Sequence, residues 1–381
     1  MDPTTAHRLR SDFCAAQETI REGVSHGRAT SADTGWRKWC EFTADLGLDP
    51  FLETFEDKVP LLLIYAQRVR SGEFAANKNP IRARSVEDYI RFVGQTFSSV
   101  GTPDPRLTAS GKQDFRLQRT WASWKKRDPA PDRVKPVPIQ VLRRIAHLAG
   151  LPGADPTFCA VADMIILAFF FLLRPGEYSD APSDTSPFRL EDVQLFVGDT
   201  RLDIFTAPTT QLQAATFATL TFTDQKNSVR GEVIGMGTSG ETRLCPVLAL
   251  IRRISYLRDN AATPETPLCQ VYNGSNVTPT RITEVLRSTV AALGPSLGFL
   301  PSDISARCLR AAGAMALLNS QVDSNVIQLI GRWKSDAMLR YLHVQAAPVM
   351  RDFSRLMLSG GHYTLLPNQL VPQALVPQRA C

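Results

Sequence analysis

The 381-residue chain is 44% hydrophobic and 21% charged, ordinary values for a globular protein of about two domains. Its net charge of +6 permits a nucleic-acid partner without demonstrating one. The longest apolar run, residues 164–173, is too short to span a bilayer, the N-terminus has no apolar signal core, and the seven scattered cysteines lack CxxC or CxxH spacing. We therefore expect an intracellular protein without a membrane segment, a disulfide framework or a zinc site.

Residues 1–127 divide into a polar lead-in and a predicted helical domain. Residues 1–30 are polar and mixed in charge, which indicates a flexible N-terminal segment or a frayed first helix. From Ser31 onward apolar residues recur at helical spacing, and the predicted helices occupy residues 31–49, 58–74, 85–99 and 111–127. The third of these begins with a predicted capping box at Ser85.

The fourth predicted helix carries the strongest basic cluster of the chain, interleaved with Trp121 and Trp124. Its cations are Arg116, Arg119, Lys125, Lys126 and Arg127. Such a pattern is typical of a solvated face above core tryptophans, or of a face that contacts DNA phosphates. Taken alone, the pattern favours the solvated face.

Residues 128–138 contain four prolines in eleven residues and are the predicted linker to a second domain. An amphipathic helix is predicted at 138–150, then a helix at 160–173 that is apolar almost all round and is therefore predicted to be buried. Arg174 comes directly after it, with Glu177 three residues later. A charge at the end of a buried helix is costly unless it is paired, so Arg174 either points into a site or meets Glu177.

Residues 188–223 alternate polar and apolar side chains, which predicts short antiparallel strands. Residues 221–235 indicate a hairpin with Lys226 near its turn. The glycine-rich residues 237–242 lack the GK[ST] ending of a phosphate-binding loop and are predicted to be a turn. With further helices on both sides, the predicted fold class is mainly α with a small antiparallel β-sheet (α+β).

The chain is organised around residues 304–343, which hold Arg310, Arg332 and, nine residues later, Tyr341. Apolar residues between the arginines recur at spacings of three and four, which predicts packed helices. Arg307 lies one helical turn before Arg310 on a helix of small residues, so something is expected to approach that helix closely. Guanidinium groups grip phosphate at two points, and a tyrosine hydroxyl beside a phosphate so held is a candidate nucleophile.

This segment resembles the active-site segment of the tyrosine recombinases, the integrase-like enzymes that break and rejoin DNA through a covalent phosphotyrosine. The runs ISARCLRAAGAMAL and GRWKSDAMLRYLH resemble the version found in eukaryotic mobile elements of the crypton and DIRS types, and LLRPGEY matches the pattern L-R-x-x-E. The resemblance places Arg174 and Arg310 at the family's two arginines, Arg332 at its His/Trp position and Tyr341 at the nucleophile. Lys226 falls where the family carries a hairpin lysine that protonates the leaving 5′-hydroxyl.

The resemblance implies a SAM-like helical core-binding domain at 31–127, a catalytic domain at 139–358 and a tail at 359–381. It implies an enzyme that cleaves and rejoins double-stranded DNA by transesterification, through a 3′-phosphotyrosine, with no ATP, metal or small-molecule cofactor. Copies of the chain would assemble on DNA as a dimer or tetramer, in the nucleus.

The usual His-x-x-Arg box is departed from, because Arg307 stands where the histidine would be. We expect Arg307 to act as a further phosphate donor, with water or Lys226 handling protons. One alternative is a decayed or domesticated DNA-binding protein on the same fold. A more distant alternative is a DNA-relaxing enzyme similar to type IB topoisomerases.

Overall fold

The computed structural model describes residues 2–129, 135–182, 185–223, 231–294, 300–334 and 338. Over these residues the chain forms thirteen helices and one four-stranded antiparallel sheet, which confirms the predicted fold class. The chain divides into two compact units, the first built chiefly from residues up to 132 and the second chiefly from residues 133 onward. Within the described residues, no helix is both long enough and apolar enough to cross a membrane.

The first unit contains five helices. They are α1 (Pro3–Glu22), α2 (His26–Asp45), α3 (Val59–Ser71), α4 (Ala83–Ser99) and α5 (Phe115–Arg127). The segment predicted to be a flexible lead-in or a frayed first helix is thus helical over α1, and α2 begins before the predicted start at Ser31. The predicted capping box at Ser85 is wrong: α4 begins at Ala83, whose backbone N–H donates to Oδ2 of Asp128 at 2.7 Å.

Aromatic side chains fill the core of the first unit. Trp39, Phe42 and Tyr65 are fully buried, with ring centroids 5.1 to 5.5 Å apart. Trp121 and Trp124 of α5 are buried in the same core, so they are core tryptophans as the sequence favours. The side chain of Asp114 caps α5 by accepting from the backbone N–H of Arg116.

The second unit is built around one buried helix, α7. Its helices are α6 (Ile139–Ala149), α7 (Pro156–Phe170), α8 (Pro175–Tyr178), α9 (Thr209–Gln213), α10 (Pro246–Asp259), α11 (Pro279–Leu293), α12 (Cys308–Asn319) and α13 (Ser324–Ile330). Every residue of α7 from Ala160 to Phe169 is buried, as the apolar sequence predicts. Five helices, α6, α8, α10, α11 and α12, contact α7, and the residues that follow it, 171–173, are buried, so its C-terminal end is an interior position.

The sheet of the second unit has the strand order β2-β1-β3-β4, all antiparallel. Its strands are β1 (Val193–Val197), β2 (Thr200–Leu202), β3 (Phe217–Phe222) and β4 (Glu232–Gly237). Part of the region predicted as strands is instead the short helix α9. The predicted hairpin is confirmed, because Phe222 pairs with Glu232 at the end of β3. Lys226 falls between these two strands in the sequence and lies outside the described residues.

Candidate active site

Two arginines from distant segments meet the C-terminal end of α7. The Leu172 carbonyl accepts from Arg310 at 2.8 Å and from Arg332 at 3.3 Å, and the Phe171 carbonyl accepts from Arg332 at 3.3 Å. Phe171 caps α7 and Leu172 follows it, so both carbonyls lie at the negative end of the helix dipole, which favours cations. The end of α7 therefore gathers positive charge from α12 and from the turn after α13.

A buried carboxylate, Glu177 of α8, joins a third arginine to this group. Glu177 is 1% exposed; its Oε1 accepts from the Arg174 guanidinium at 2.7 Å and its Oε2 from Arg332 at 2.9 Å. The backbone N–H of Arg174 also donates to Oε2, at 2.7 Å. Of the two possibilities for Arg174, the structure shows the pairing with Glu177. One carboxylate thus compensates two guanidinium groups.

Burial governs the electrostatics of Arg332. Its guanidinium lies over the Phe222 ring, 3.8 Å from the centroid, and the residue is 5% exposed. Burial lowers the pKa of Arg332 to about 10, although Glu177 acts in the opposite direction. Since that pKa is still well above 7, the side chain is charged at neutral pH. The backbone of Arg332 is left-handed, with φ +57°.

Arg310 is held in a similar way, 3% exposed, with its guanidinium 4.3 Å from the centroid of the Trp333 ring. Besides Leu172, it donates to the carbonyl of Gly331. Arg307 differs, because it precedes the first residue of α12 and is exposed. The sequence places Arg307 and Arg310 on one helix face, but the structure buries only the second.

Helix α12, which is rich in small residues, packs closely against α7. A Cβ atom added to Gly313 would lie 2.2 Å from the Phe169 carbonyl oxygen and 2.3 Å from Cδ2 of Leu172. The sequence predicted that something approaches this helix closely, and in the structure the backbone of α7 does so. The close packing brings Arg310 within reach of the Leu172 carbonyl.

We expect Gly313→Ala to lower the free energy of unfolding by about 1 to 3 kcal/mol, because the added methyl group meets backbone that cannot turn aside. Gly27→Ala is the matched control: Gly27 is also helical, nothing lies within 4 Å of its added Cβ, and the change should be neutral or stabilising by up to about 1 kcal/mol. Urea unfolding curves of the two variants measure both effects. Equal stabilities would contradict the close packing of α7 on α12.

Tyr178, beside Glu177, is the described tyrosine nearest in sequence to these arginines. It is fully buried, and its hydroxyl donates to the Ala306 carbonyl at 2.9 Å, which ties α8 to the chain just before α12. Burial raises the pKa of Tyr178 and disfavours its phenolate. Tyr178 therefore supports the site without having the properties of a nucleophile.

Two of the predicted site residues, Lys226 and Tyr341, lie outside the described residues. Met338, three residues before Tyr341 in the sequence, packs in an apolar cluster with Trp333, Leu172 and Ile327. In the part of the chain that the structure describes, no group of three or more His, Cys, Asp or Glu side chains is arranged to hold a metal ion.

The structure divides the predicted basic cluster of α5 into two parts. Arg116 bridges Asp57 and Asp114, with its nitrogens 2.5 Å and 3.0 Å from their carboxylate oxygens, and Lys125 pairs with Glu87 at 2.7 Å. The other three cations, Arg119, Lys126 and Arg127, are exposed. At 3.6 residues per turn these three share one side of α5, here called the basic face. A cavity of about 420 Å³ next to it is lined by Arg119, Arg127 and Gln67 of α3, among others.

Several features of the site were not predicted from the sequence. Phe222 beneath Arg332, Trp333 beneath Arg310 and the ion pair of Arg332 with Glu177 join segments far apart in the chain. The position of Phe222 at the end of the strand before Lys226 is the one available signal, and it does not distinguish this phenylalanine from other core residues.

No protein-family model matches the chain, and no curated protein matches its sequence. Among solved structures, the chain is similar to the Tn1549 transposon integrase in complex with transposon right end DNA: 16% identity, 79% of this chain and 86% of that chain covered, TM-score 0.44. It is also similar to XerA recombinase, with 14% identity, 87% of this chain and 99% of that chain covered, and a TM-score of 0.36. A lambda integrase tetramer bound to a Holliday junction is similar as well, with 14% identity, 81% of this chain and 77% of that chain covered, and a TM-score of 0.36.

Proposed function

We propose that this protein is a DNA strand-transferring tyrosine recombinase of a mobile element, of the crypton or DIRS type. The observation that carries the proposal is the meeting of Arg174, Arg310 and Arg332 at the end of α7. Arg310 reaches Leu172 across 138 residues of sequence, and Arg332 reaches Glu177 across 155. These are the positions at which the sequence resemblance expects phosphate-binding groups.

In the proposed reaction the Tyr341 hydroxyl gives its proton to water, and its oxygen attacks the scissile phosphorus. The bond from phosphorus to the 5′ oxygen breaks, the DNA 3′ end remains on the tyrosine as a phosphodiester, and Lys226 protonates the leaving 5′ oxygen. A 5′-hydroxyl of a second strand then gives its proton to Lys226 and attacks the phosphorus of the phosphotyrosine, and the released Tyr341 oxygen regains a proton from water. Because each step exchanges one phosphodiester for another, the bond energy is kept and the reaction consumes no ATP.

The arginines supply the positive electrostatic field that this reaction requires. Three guanidinium groups outnumber the two carboxylates that act on Arg332, Glu177 and Glu232, which leaves an excess of positive charge in a largely buried setting. A positive charge interacts more strongly with an anion in such a setting than in water. It therefore stabilises the negative charge that grows on the two non-bridging phosphate oxygens. It also favours ionisation of a tyrosine, whose ordinary pKa is near 10.

A nicked suicide substrate tests the proposal. After cleavage of such a duplex the short 5′-hydroxyl fragment diffuses away, so the covalent complex cannot be resealed. We expect a protein–DNA adduct that survives denaturant and forms at one defined phosphate. DNA binding without any adduct would contradict the proposed activity.

A second candidate is a DNA-binding protein on the same fold that no longer cleaves. It is favoured by the burial of Arg310 and Arg332, which are 3% and 5% exposed and donate to backbone carbonyls just after α7 and in the turn after α13. In the proposed recombinase, DNA must draw at least one of these donors toward its phosphate. In the second candidate both remain structural, and the suicide substrate distinguishes the two.

The proposed setting is double-stranded DNA in the nucleus, with copies of the chain assembled as a dimer or tetramer. These features follow from the resemblance to mobile-element recombinases.

Arg307 is proposed to donate to the scissile phosphate, as a permanent charge in place of the family's histidine. We expect Arg307→Ala to slow single-turnover cleavage of the suicide substrate by roughly 2 to 4 kcal/mol in barrier height, and Arg307→His to slow it less. Arg281→Ala, which removes an exposed arginine of α11, is the control and should cleave at the wild-type rate. Faster cleavage by Arg307→His, with a new rate dependence near pH ~6 to 7, would instead indicate proton transfer.

The basic face of α5 is proposed to contact DNA phosphates. Replacing Arg119, Lys126 and Arg127 with alanine should weaken binding to all sequences alike. The slope of log affinity against log salt should shrink by about one unit for each cation that neutralises a phosphate in the wild type. Lys125→Ala and Arg116→Ala, which remove cations already paired with carboxylates, should leave the slope unchanged. A constant slope in the triple variant would make the basic face a solvated surface.

A further inference from the structure

Helix α1 exposes an apolar stripe in the single chain. Leu9, Phe13 and Ile20 are 50%, 64% and 60% exposed. At 3.6 residues per turn they fall within about 40° of one another around the helix, and Arg8 and Arg10 lie on opposite sides of the stripe. A helix that buries no face has little to stabilise it in water. The stripe therefore indicates a partner.

The same unit has an open groove whose chemistry is complementary, here called the acidic groove. It has a volume of about 470 Å³, in the range of cavities that hold ligands of drug size. Its apolar lining, here called the floor, includes Phe51, which is partly exposed, and Leu107, which is 42% exposed. Apolar side chains are thus accessible in a cavity large enough for more of them.

The rim of the acidic groove carries an excess of negative charge. Five carboxylates line it, against the two cations Lys58 and Arg116. Arg116 is already engaged by Asp57 and Asp114, while Glu53 and Glu56 are exposed and form no ion pair with a described residue. An apolar floor between such walls suits a segment with large apolar side chains and flanking cations.

We propose that α1 of one copy docks in the acidic groove of a second copy, with Leu9 and Phe13 on the floor and Arg8 and Arg10 toward Glu53 and Glu56. In the single chain α1 is exposed and the groove is open, so both surfaces are available to another molecule. Burial of the stripe supplies the affinity, and the charges orient the helix.

The two surfaces differ, so the contact is head to tail. Each copy offers one helix and one groove, and such contacts close into a ring or continue as a filament. The inference rests on the proposed function only in that the chain works as assembled copies, and it requires no DNA cleavage.

Sedimentation velocity of the full chain without DNA, at low salt, tests the contact. We expect self-association that increases with concentration. The α1 variant Arg8→Glu/Arg10→Glu and the groove variant Glu53→Arg/Glu56→Arg should each weaken it at least about tenfold, since like charges then face each other. The chain that carries all four changes should regain it, because the charges are again complementary and neither variant has then merely failed to fold.

Asp12→Asn provides an independent check. Asp12 lies near the edge of the stripe, where its carboxylate would face the acidic walls, so its removal should tighten association. A wild-type chain that stays monomeric at every concentration would overturn the proposal. So would a groove variant that associates as well as the wild type, because α1 would then pair with another surface, such as α1 itself.

The suicide substrate separates this inference from the proposed function. Self-association that follows the charge swap, in a protein that forms no covalent adduct, supports the contact and rejects the recombinase. A chain that forms the adduct but shows no charge-dependent association supports the recombinase and rejects the contact.

Discussion

Tyr341→Phe is expected to abolish covalent attachment to DNA while binding to the same duplex stays within about threefold of the wild type. The substitution removes one hydroxyl group, so the nucleophile is lost while charge and ring packing are kept. Denaturing gel electrophoresis of the suicide-substrate reaction measures the adduct, and a filter-binding assay measures affinity.

Tyr272→Phe is the matched control for this experiment. Tyr272 is 69% exposed and makes none of the contacts that join the arginines, so its variant should form the adduct at the wild-type rate. A denaturant-resistant adduct formed by Tyr341→Phe would show that another residue is the nucleophile. Buried Tyr178 is a poor replacement, because burial raises its pKa.

Removing the carboxylate of Glu177 is expected to have the largest effect on stability. Glu177→Ala leaves Arg332, 5% exposed, without its anionic partner, and Arg174 loses the same group. Breaking a buried ion pair from one side typically costs about 3 to 5 kcal/mol, because the remaining charge is uncompensated. Urea unfolding followed by circular dichroism measures the decrease in the free energy of unfolding.

Glu191→Ala is the control for Glu177→Ala. Glu191 also pairs with an arginine, Arg189, but both side chains are 46% exposed, and the decrease should be at most about 1 kcal/mol. The double variant Glu177→Gln/Arg332→Met should be more stable than the sum of its single changes predicts, because it removes both charges. Strict additivity would mean that Glu177 and Arg332 are not coupled.

Helical periodicity predicted the elements better than capping residues predicted their ends. The apolar spacing located α5, α7 and α12, because these helices bury the faces that the spacing marks. The start of α4 was missed because its first N–H group is capped by Asp128, 45 residues away in sequence. A cap from a distant segment leaves no local signal.

The candidate site shows the same division between local and distant signals. The sequence motifs named Arg174, Arg310 and Arg332, and local spacing gave the pairing of Arg174 with Glu177 as one of two possibilities. Nothing local indicated that Arg332 shares that carboxylate, or that Arg116 bridges Asp57 and Asp114 instead of joining the basic face. Pairing between separated charges depends on tertiary packing, which one-dimensional patterns do not encode.

The two arginines at the end of α7 also bear on how the protein is made. The Leu172 carbonyl finds its partner in Arg332, 160 residues further along the chain. At about 5 to 20 residues per second of synthesis, that interval is roughly 8 to 32 s. During this time α7, apolar almost all round, has left the ribosome without α12 or the cations that complete its end. Until those segments emerge, the nascent chain carries an apolar helix whose C-terminal end is not yet compensated, a state that chaperones bind and proteases cut.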